Sequence, residues 1–395
     1  MTYLKTACLV SFLCAAASPA VCSAAQNASA TETSSSPVAY VYVSFTPQNS
    51  SVNEIAGYAA APNGALSPLP GSPYTADVTT MTANGKFVFG SNVNGIGVDA
   101  YHIAANGALD LWQQTDVAQM NYRDCGASGP LFVDRTGSTL YDMEINGNEC
   151  ANNKYESLAI DGGNGSLKAM GSSTYTSWLY QAASFIGNNQ YAYSVACIGN
   201  MYWAVFGEHR TSNGLLTPIT NFQAKLPAAK AGDFWCPMQS AADSTNHLAM
   251  VLTSVSGSTF SQDGEPRVAS FTAAANGSLS TTNTISGMPV TLVGSALSTK
   301  VSPNGTLLAV GGTAGLQLFH FRGAEHPTKF TNLVKTVEID QVFWDNQNHL
   351  YAISQPSGKL FVFTVTPTSV TEAPGSPYNL GGPSSLIVET LPLQR

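Results

Sequence analysis

The chain has 395 residues, of which only 10% are charged, and 24 Asp+Glu against 16 Lys+Arg give a formal net charge of −8. Hydrophobic residues at 44% suffice for a large core, which excludes disorder for most of the chain. The acidic balance and the lack of a Lys/Arg cluster exclude nucleic acid and anionic membranes as partners. No later apolar stretch is long enough to predict a transmembrane segment.

The first 25 residues have the pattern of a secretory signal peptide. Lys5 provides the positive start, 7–17 is a short apolar run, and Ser23-Ala24-Ala25 is a cleavage site of small residues. We therefore predict cleavage after residue 25 and a secreted or periplasmic protein.

A lipid anchor is not expected. Leu13 precedes Cys14 and Val21 precedes Cys22, where a bacterial lipoprotein site requires a small residue. Residues 26–37 are rich in Ser, Thr and Ala and are predicted to be a flexible linker.

Two short phrases recur along the rest of the chain. The first is an Asn-Gly pair that is followed by one small or apolar residue and then by Leu. It occurs at Asn63-Gly64, Asn106-Gly107, Asn164-Gly165, Asn213-Gly214 and Asn276-Gly277. Asn-Gly tolerates positive φ at both central positions, which closes tight hairpins. The second phrase, strand-turn-strand, is clearest at 82–89 and 301–308. With no amphipathic helix recognised between them, these phrases predict an all-β fold.

A five-residue motif at the end of a repeat indicates how many repeats the chain contains. Pro70-Gly71-Ser72-Pro73-Tyr74 returns as Pro374-Gly375-Ser376-Pro377-Tyr378, 304 positions later, with six strand-turn-strand copies between them. The resulting period of about 51 residues is typical of four-stranded propeller blades. Six repeats and an incomplete first one predict a seven-bladed β-propeller over 38–395.

The first repeat lacks its opening strand, because residues 38–43 follow the linker directly. A matching strand occurs at the other end of the chain, at Ser384–Glu389. We expect this C-terminal strand to complete the N-terminal blade and close the ring, which leaves no open sheet edge.

The turn at 301–305, the Asn-Gly turns and the Pro-Gly-Ser-Pro-Tyr phrases resemble those of the seven-bladed lactonase-like propellers. That group includes the bacterial 6-phosphogluconolactonase propellers, carboxymuconate-cyclising enzymes and exported YVTN-type repeat proteins. The resemblance covers about 38–390 and implies the fold. Members with sugar-lactonase activity carry Gly-Pro-Arg-His-like phrases on innermost strands. The matching segments here, 128–132 and 294–298, contain neither Arg nor His, so no channel residue is transferred by the resemblance.

The search for other catalytic motifs is negative. The chain has no Gly-x-Ser-x-Gly elbow, no His-Glu-x-x-His zinc helix and no Gly-rich phosphate loop. We therefore expect no cofactor and no metal.

Four cysteines remain after the signal peptide, at Cys125, Cys150, Cys197 and Cys236. In an oxidising compartment an even number favours disulfides. The blade scheme places the members of each pair on neighbouring loops of one face, which predicts the pairs Cys125–Cys150 and Cys197–Cys236.

The same loops carry the candidate functional residues, on the connections that enter blades three, four and five. The predicted ligand-binding residues are Tyr122, Trp178, Tyr180, Phe234 and Trp235. The predicted catalytic residues are Arg123, Asp124, Glu149 and Asp233. Aromatic faces offer rigid area for a sugar or another planar ligand. The alternative for these aromatics is packing between blades.

Three functions follow. The first is an exported propeller that binds a small molecule or carbohydrate through an aromatic rim, as a monomer. The second is a lactone hydrolase or isomerase, with Asp124, Glu149 or Asp233 as general base and Arg123 polarising a carbonyl. The third is a rim that docks an envelope or extracellular protein.

Overall fold

A computed structural model describes residues 36–92, 97–116, 128–144, 154–174, 181–198 and 202–392. All regular secondary structure within these ranges is β-strand, as predicted. None of the described segments is a helix long and apolar enough to cross a membrane.

The strands form seven antiparallel sheets, the blades of a propeller. Blade one contains β1 Ala39–Thr46, β2 Glu54–Ala60, β3 Leu66–Pro68 and β4 Tyr74–Thr75. Blade two contains β5 Val78–Ala83, β6 Phe87–Asn92, β7 Gly97–Ile103 and β8 Leu109–Asp116. Blade three contains β9 Ser128–Val133, β10 Thr139–Glu144, β11 Lys154–Ile160 and β12 Leu167–Thr174. Blade four contains β13 Ser184–Phe185, β14 Tyr191–Ile198, β15 Tyr202–Arg210 and β16 Leu216–Pro218.

The remaining blades follow the same order, from the innermost strand outwards. Blade five contains β17 Asp233–Ala242, β18 His247–Ser256, β19 Arg267–Ala273 and β20 Leu279–Ser280. Blade six contains β21 Ala296–Val301, β22 Leu307–Gly312, β23 Gly315–His320 and β24 Thr328–Lys329. Blade seven contains β25 Gln341–Trp344, β26 His349–Ser354, β27 Lys359–Val365, β28 Val370–Glu372 and β29 Tyr378–Asn379. The last strand is β30 Gly382–Thr390.

The C-terminal strand closes the ring, which confirms the prediction. β30 pairs antiparallel with β1, with Tyr42 opposite Ile387 and Val43 opposite Leu386. It is the innermost strand of blade one, in the order β3-β2-β1-β30.

The core consists of apolar layers between neighbouring blades. The first seven residues of β1 are buried, on both faces of the strand. Val41 and Val43 pack with Val362 of blade seven, whereas Tyr40 and Tyr42 belong to a cluster with blade two. Because successive side chains point to opposite faces, one strand supplies both layers.

The Asn-Gly turns differ from the prediction in one respect, since only the glycine has positive φ. Gly64 has φ 81°, its N–H donates to Ala61 O at 2.8 Å, and Asn63 is absent from the positive-φ residues. The Asn63 side chain instead accepts a hydrogen bond from Ala65 N at 3.1 Å. Asn therefore serves as a side-chain acceptor that stabilises the turn, and Gly provides the left-handed position.

Most inner strands end in a polar residue that caps the turn to the second strand. In five blades the side chain of the first residue after the inner strand accepts the N–H of the first residue of the second strand. These pairs are Asn84 with Phe87, Asp134 with Thr139, Asp243 with His247, Ser302 with Leu307 and Asp345 with His349. The caps hold one end of these five inner strands in place around the axis, and we call this end the turn end.

Candidate functional site

The inner strands enclose a central cavity of about 590 Å³. All seven blades contribute to its wall, through β30, β5, β9, β13, β17, β21 and β25, together with short adjoining segments. Its volume lies within the range of small-molecule sites. Hydroxyl and amide groups alternate with apolar side chains on the wall, so a polar ligand of moderate size would find hydrogen-bonding partners there.

Hydrogen bonds between neighbouring inner strands fix the shape of this wall. Each acceptor is a side chain of one blade, and each donor is a backbone N–H of the next. The bonds are Val342 N to Ser298 Oγ at 3.1 Å, Leu386 N to Gln341 Oε1 at 2.8 Å and Met81 N to Ser385 Oγ at 2.9 Å. Blades six, seven, one and two are therefore locked together at the cavity, which makes this part of the wall rigid.

Lys300 places a cationic group in the cavity wall, one residue before the end of β21. Its side chain is exposed to the cavity, and its Nζ lies 5.1 Å from the centre of the Phe343 ring. No carboxylate among the described residues is within ion-pair distance of Lys300. Enclosure by the surrounding strands lowers the pKa of the ammonium group.

Glu389 is the acidic residue of the cavity wall. It pairs with Tyr40 near the end of β30, and its Oε1 accepts a hydrogen bond from Gly85 N of blade two at 3.1 Å. Burial raises the pKa of Glu389 to about 7, and the bond from Gly85 opposes that shift. Its carboxyl group therefore titrates much closer to neutral pH than an ordinary glutamate does.

Arg135 completes the charged set, in the turn that follows β9. Its Nε donates to Phe185 O of blade four at 2.9 Å, and its Nη2 donates to Asp243 O of blade five. Arg135 thus spans three blades at the turn end of the cavity. Enclosure by the protein lowers the pKa of its guanidinium, and Asp243 opposes this.

These three groups lie at the same end of the cavity. Lys300 and Glu389 are within two residues of the ends of their inner strands, and Arg135 follows its own. A cation without an ion pair and a carboxyl group that titrates near neutrality can bind an anion and exchange a proton. Sequence reasoning missed all three, because it sought charges on the loops at the opposite end.

The disulfide Cys197–Cys236 is present, with a sequence separation of 39 and a Cα–Cα distance of 5.1 Å. Both cysteines lie on strands, Cys197 in β14 and Cys236 in β17, rather than on loops as predicted. The bond therefore joins blade four to blade five.

Asp233, predicted as a general base, is the first residue of β17. Its Oδ2 accepts a hydrogen bond from Ser254 Oγ at 3.1 Å, and the residue does not contribute to the cavity wall. Its neighbours include an ion pair between Lys230 and Asp263 at 2.7 Å.

The two described aromatic candidates have different environments. Phe234 is half-buried and contacts Trp203, with ring centroids 6.3 Å apart. Trp235 is only 2% exposed and packs in a core cluster with Tyr193. A buried indole has no face to offer to a ligand, and this environment corresponds to the alternative, packing between blades. The segment 233–236 is strand rather than loop, which explains the burial.

The other candidates lie outside the described residues. They are Tyr122, Arg123, Asp124, Cys125, Glu149, Cys150, Trp178 and Tyr180. Within the described ranges, no three His, Cys, Asp or Glu side chains come together as a possible metal site.

The seven closed blades and the cavity at their centre define a seven-bladed β-propeller with a ligand-sized axial site. Solved structures with this fold include a putative 6-phosphogluconolactonase from Bacteroides fragilis NCTC 9343, which has 14% sequence identity and a TM-score of 0.61. The match covers 89% of this chain and 97% of that chain. A periplasmic gluconolactonase from Pseudomonas aeruginosa has 15% identity and a TM-score of 0.62, with 90% and 99% covered.

A second putative 6-phosphogluconolactonase, from Bacteroides uniformis ATCC 8492, has 11% identity and a TM-score of 0.62, covering 89% of this chain and 99% of that chain. The chain thus has the fold of the lactonase-like propellers, as the turn phrases predicted. Identities this low establish the fold alone. No model of a protein family matches the sequence, and no curated protein matches it.

Proposed function

We propose that this protein binds a small, polar, anionic ligand, such as a sugar acid, in the central cavity. The observation that carries the proposal is Lys300, an enclosed cation in a ligand-sized cavity with no carboxylate partner among the described residues. An enclosed charge is costly until an opposite charge reaches it, so an anionic ligand is stabilised there. Arg135 adds positive charge at the same end.

The ligand is proposed to enter from the end opposite the turns, where the connections before β9 and β13 begin. The aromatic residues Tyr122, Trp178 and Tyr180 on those connections remain candidates for a rim at this mouth. Export is part of the proposal, supported by the signal-like residues 1–25 and by the disulfide.

Calorimetric titration with sodium gluconate tests the binding proposal. Lys300→Met keeps the aliphatic stem and removes the charge, and we expect it to weaken binding about tenfold, since a charged hydrogen bond contributes roughly 1.5–3 kcal/mol. Lys329→Met, on the exposed outer strand of the same blade, should bind like the wild type. Equal affinities in all three proteins would contradict the proposal.

Lactone hydrolysis is the second candidate, and the pKa of Glu389 near 7 favours it. The carboxylate of Glu389 would take a proton from water as the water oxygen attacks the lactone carbonyl, while Lys300 or Arg135 stabilises the oxyanion. The ring C–O bond then breaks, and the ring oxygen takes the proton to give the hydroxy acid.

Base consumption in a pH-stat with D-glucono-lactone and its phosphate tests this reaction. The rate should rise with pH through an apparent pKa of about 7 and be lost in Glu389→Gln. Turnover that survives in Glu389→Gln but is lost in Arg123→Ala or Asp124→Ala would place the chemistry on the rim loops instead. Absence of turnover with intact gluconate binding would leave a binding protein.

A further inference from the structure

Three aromatic side chains form an exposed surface on blades four and five. Trp203 of β15 is 43% exposed and Phe260, in the loop between β18 and β19, is 48% exposed. Phe234 lies between them, with ring centroids 6.3 Å from Trp203 and 6.4 Å from Phe260. We call these three residues the aromatic platform. None of them lines the central cavity.

The disulfide holds two of the rings in place. Cys197 lies directly opposite Trp203 in the β14–β15 ladder. Cys236 follows Phe234 by two positions on β17, so both point to the same face of that strand. The rings of Trp203 and Phe234 are nearly parallel, with an interplanar angle of 27°. The Phe260 ring is tilted 58° from that of Phe234. The platform is therefore a cluster of differently oriented rings that is fixed across two blades.

Phe260 is held in a conformation that a bulky residue rarely adopts. Its φ is 52°, in the left-handed region that favours glycine or asparagine. Short backbone hydrogen bonds keep the loop closed, from Phe260 N to Ser256 O and from Gly257 N to Gly232 O, both at 2.9 Å. Backbone strain of this kind persists where the surrounding structure imposes it, and it concentrates at functional positions.

The size of the platform and the charges around it indicate which class of ligand it can bind. Three rings offer far less area than the roughly 800 Å² per partner of a stable protein interface. The neighbouring cation Lys230 is paired with Asp263 at 2.7 Å, so it offers little to an anionic ligand, and the chain is acidic. The exposed rings of Trp203 and Phe260 suit the apolar C–H face of a sugar ring, and a neutral glycan carries no charge to be desolvated.

We propose that the aromatic platform is a carbohydrate-binding site for a neutral oligosaccharide or polysaccharide, separate from the central cavity. Trp203 and Phe260 would stack on sugar rings, and Phe234 would support both. The site would hold the protein on a glycan while the cavity remains free for its own ligand.

Calorimetry and tryptophan fluorescence with cellohexaose, chitohexaose and maltohexaose test the proposal. We expect binding of at least one neutral hexasaccharide, weakened roughly fivefold or more in Trp203→Ala and partly restored in Trp203→Phe. Trp112→Ala is the matched control, since Trp112 is 49% exposed on blade two, away from the platform. Lys300→Met should bind these sugars normally, which separates this site from the cavity.

Phe260→Asn provides a second test, because this variant should lose binding without losing stability. Asparagine tolerates positive φ, so this variant should melt at the same or a higher temperature while it loses the same affinity as Trp203→Ala. No binding of any of the three sugars at millimolar concentration would overturn the proposal. Unchanged affinity in both Trp203→Ala and Phe260→Asn would do so as well.

Discussion

The hydroxyl of Tyr42 in blade one donates a hydrogen bond of 2.8 Å to the carbonyl of Gly107 in blade two. The donor lies on a buried second strand, and the acceptor is the glycine of an Asn-Gly turn 65 residues away. The same link recurs from Tyr141 to Gly214 at 2.7 Å and from Tyr193 to Gly277 at 2.8 Å. A buried tyrosine on one blade therefore anchors the turn of the next.

Removing this hydroxyl should weaken the contact between blades. Tyr42→Phe leaves the buried Gly107 carbonyl without its donor, and we expect a loss of about 1–2 kcal/mol in the free energy of unfolding. Tyr74→Phe is the control, because the Tyr74 hydroxyl bonds to Pro70 O within one exposed turn. Urea titration should show the larger loss in Tyr42→Phe, and equal losses would contradict the role of the link.

The turn glycines should differ in their tolerance of alanine. Gly107 has φ 81°, and a Cβ there would lie 2.7 Å from the Tyr40 ring, whereas Gly305 has φ 72° with open space around it. Gly305→Ala should lose only the roughly 1–2 kcal/mol of a left-handed residue. Gly107→Ala should lose clearly more, because the Tyr40 ring must move as well. Similar melting temperatures for the two variants would contradict this.

The disulfide should stabilise the protein because it closes a loop in the unfolded chain and so lowers the entropy of the unfolded state. Closing 39 residues in the unfolded chain corresponds to about 4 kcal/mol in the chain-entropy description. The double variant Cys197→Ser/Cys236→Ser should therefore unfold at a lower temperature than the wild type. Reductant should lower the wild-type melting temperature but leave that of a quadruple variant, Cys197→Ser/Cys236→Ser with Cys125→Ser/Cys150→Ser, unchanged. Retained wild-type stability in the first variant would show that the bond has little energetic effect.

The burial of Glu208 should make the stability of the protein depend on pH. It is fully buried between Ala192 and Pro218 on the neighbouring strands, and neither carboxyl oxygen has a hydrogen-bond partner among the described residues. Burial raises its pKa well above the ordinary 4.5. The folded state therefore binds a proton that the unfolded state releases, and stability falls as pH rises from about 4.5 towards the folded pKa.

Glu208→Gln should remove that dependence. The variant should match the wild type near pH 4.5 and should be the more stable of the two at pH 7.5, because only the wild type must then keep a carboxyl group protonated. Glu265→Gln, at an exposed position, should follow the wild-type curve. A constant difference between Glu208→Gln and wild type at all pH values would show that the carboxyl does not titrate as argued.

The fold was predictable from local signals, because each Asn-Gly turn and each capped hairpin specifies a strand pair at a regular spacing. The C-terminal strand at 384–389 could be assigned to blade one for the same reason. The charged residues of the cavity wall could not be predicted, because their placement depends on which residue of each inner strand faces the axis. Of Lys300 and Glu389, aligning the capped strands would have placed only Lys300, two residues before the Ser302 cap. Burial of Trp235 likewise depends on blade contacts that no local pattern encodes.

The most direct test of the cavity site is NMR of the protein with ¹³C-methylated lysines. The Lys300 signal is assigned as the one that disappears from the spectrum of Lys300→Met. We expect the Lys300 signal to titrate at lower pH than the surface lysines, because the cavity encloses its ammonium group. We also expect sodium gluconate to shift this signal and to raise its titration point, because the anion stabilises the charged form. A Lys300 signal that titrates with the surface lysines and does not respond to gluconate would contradict the account.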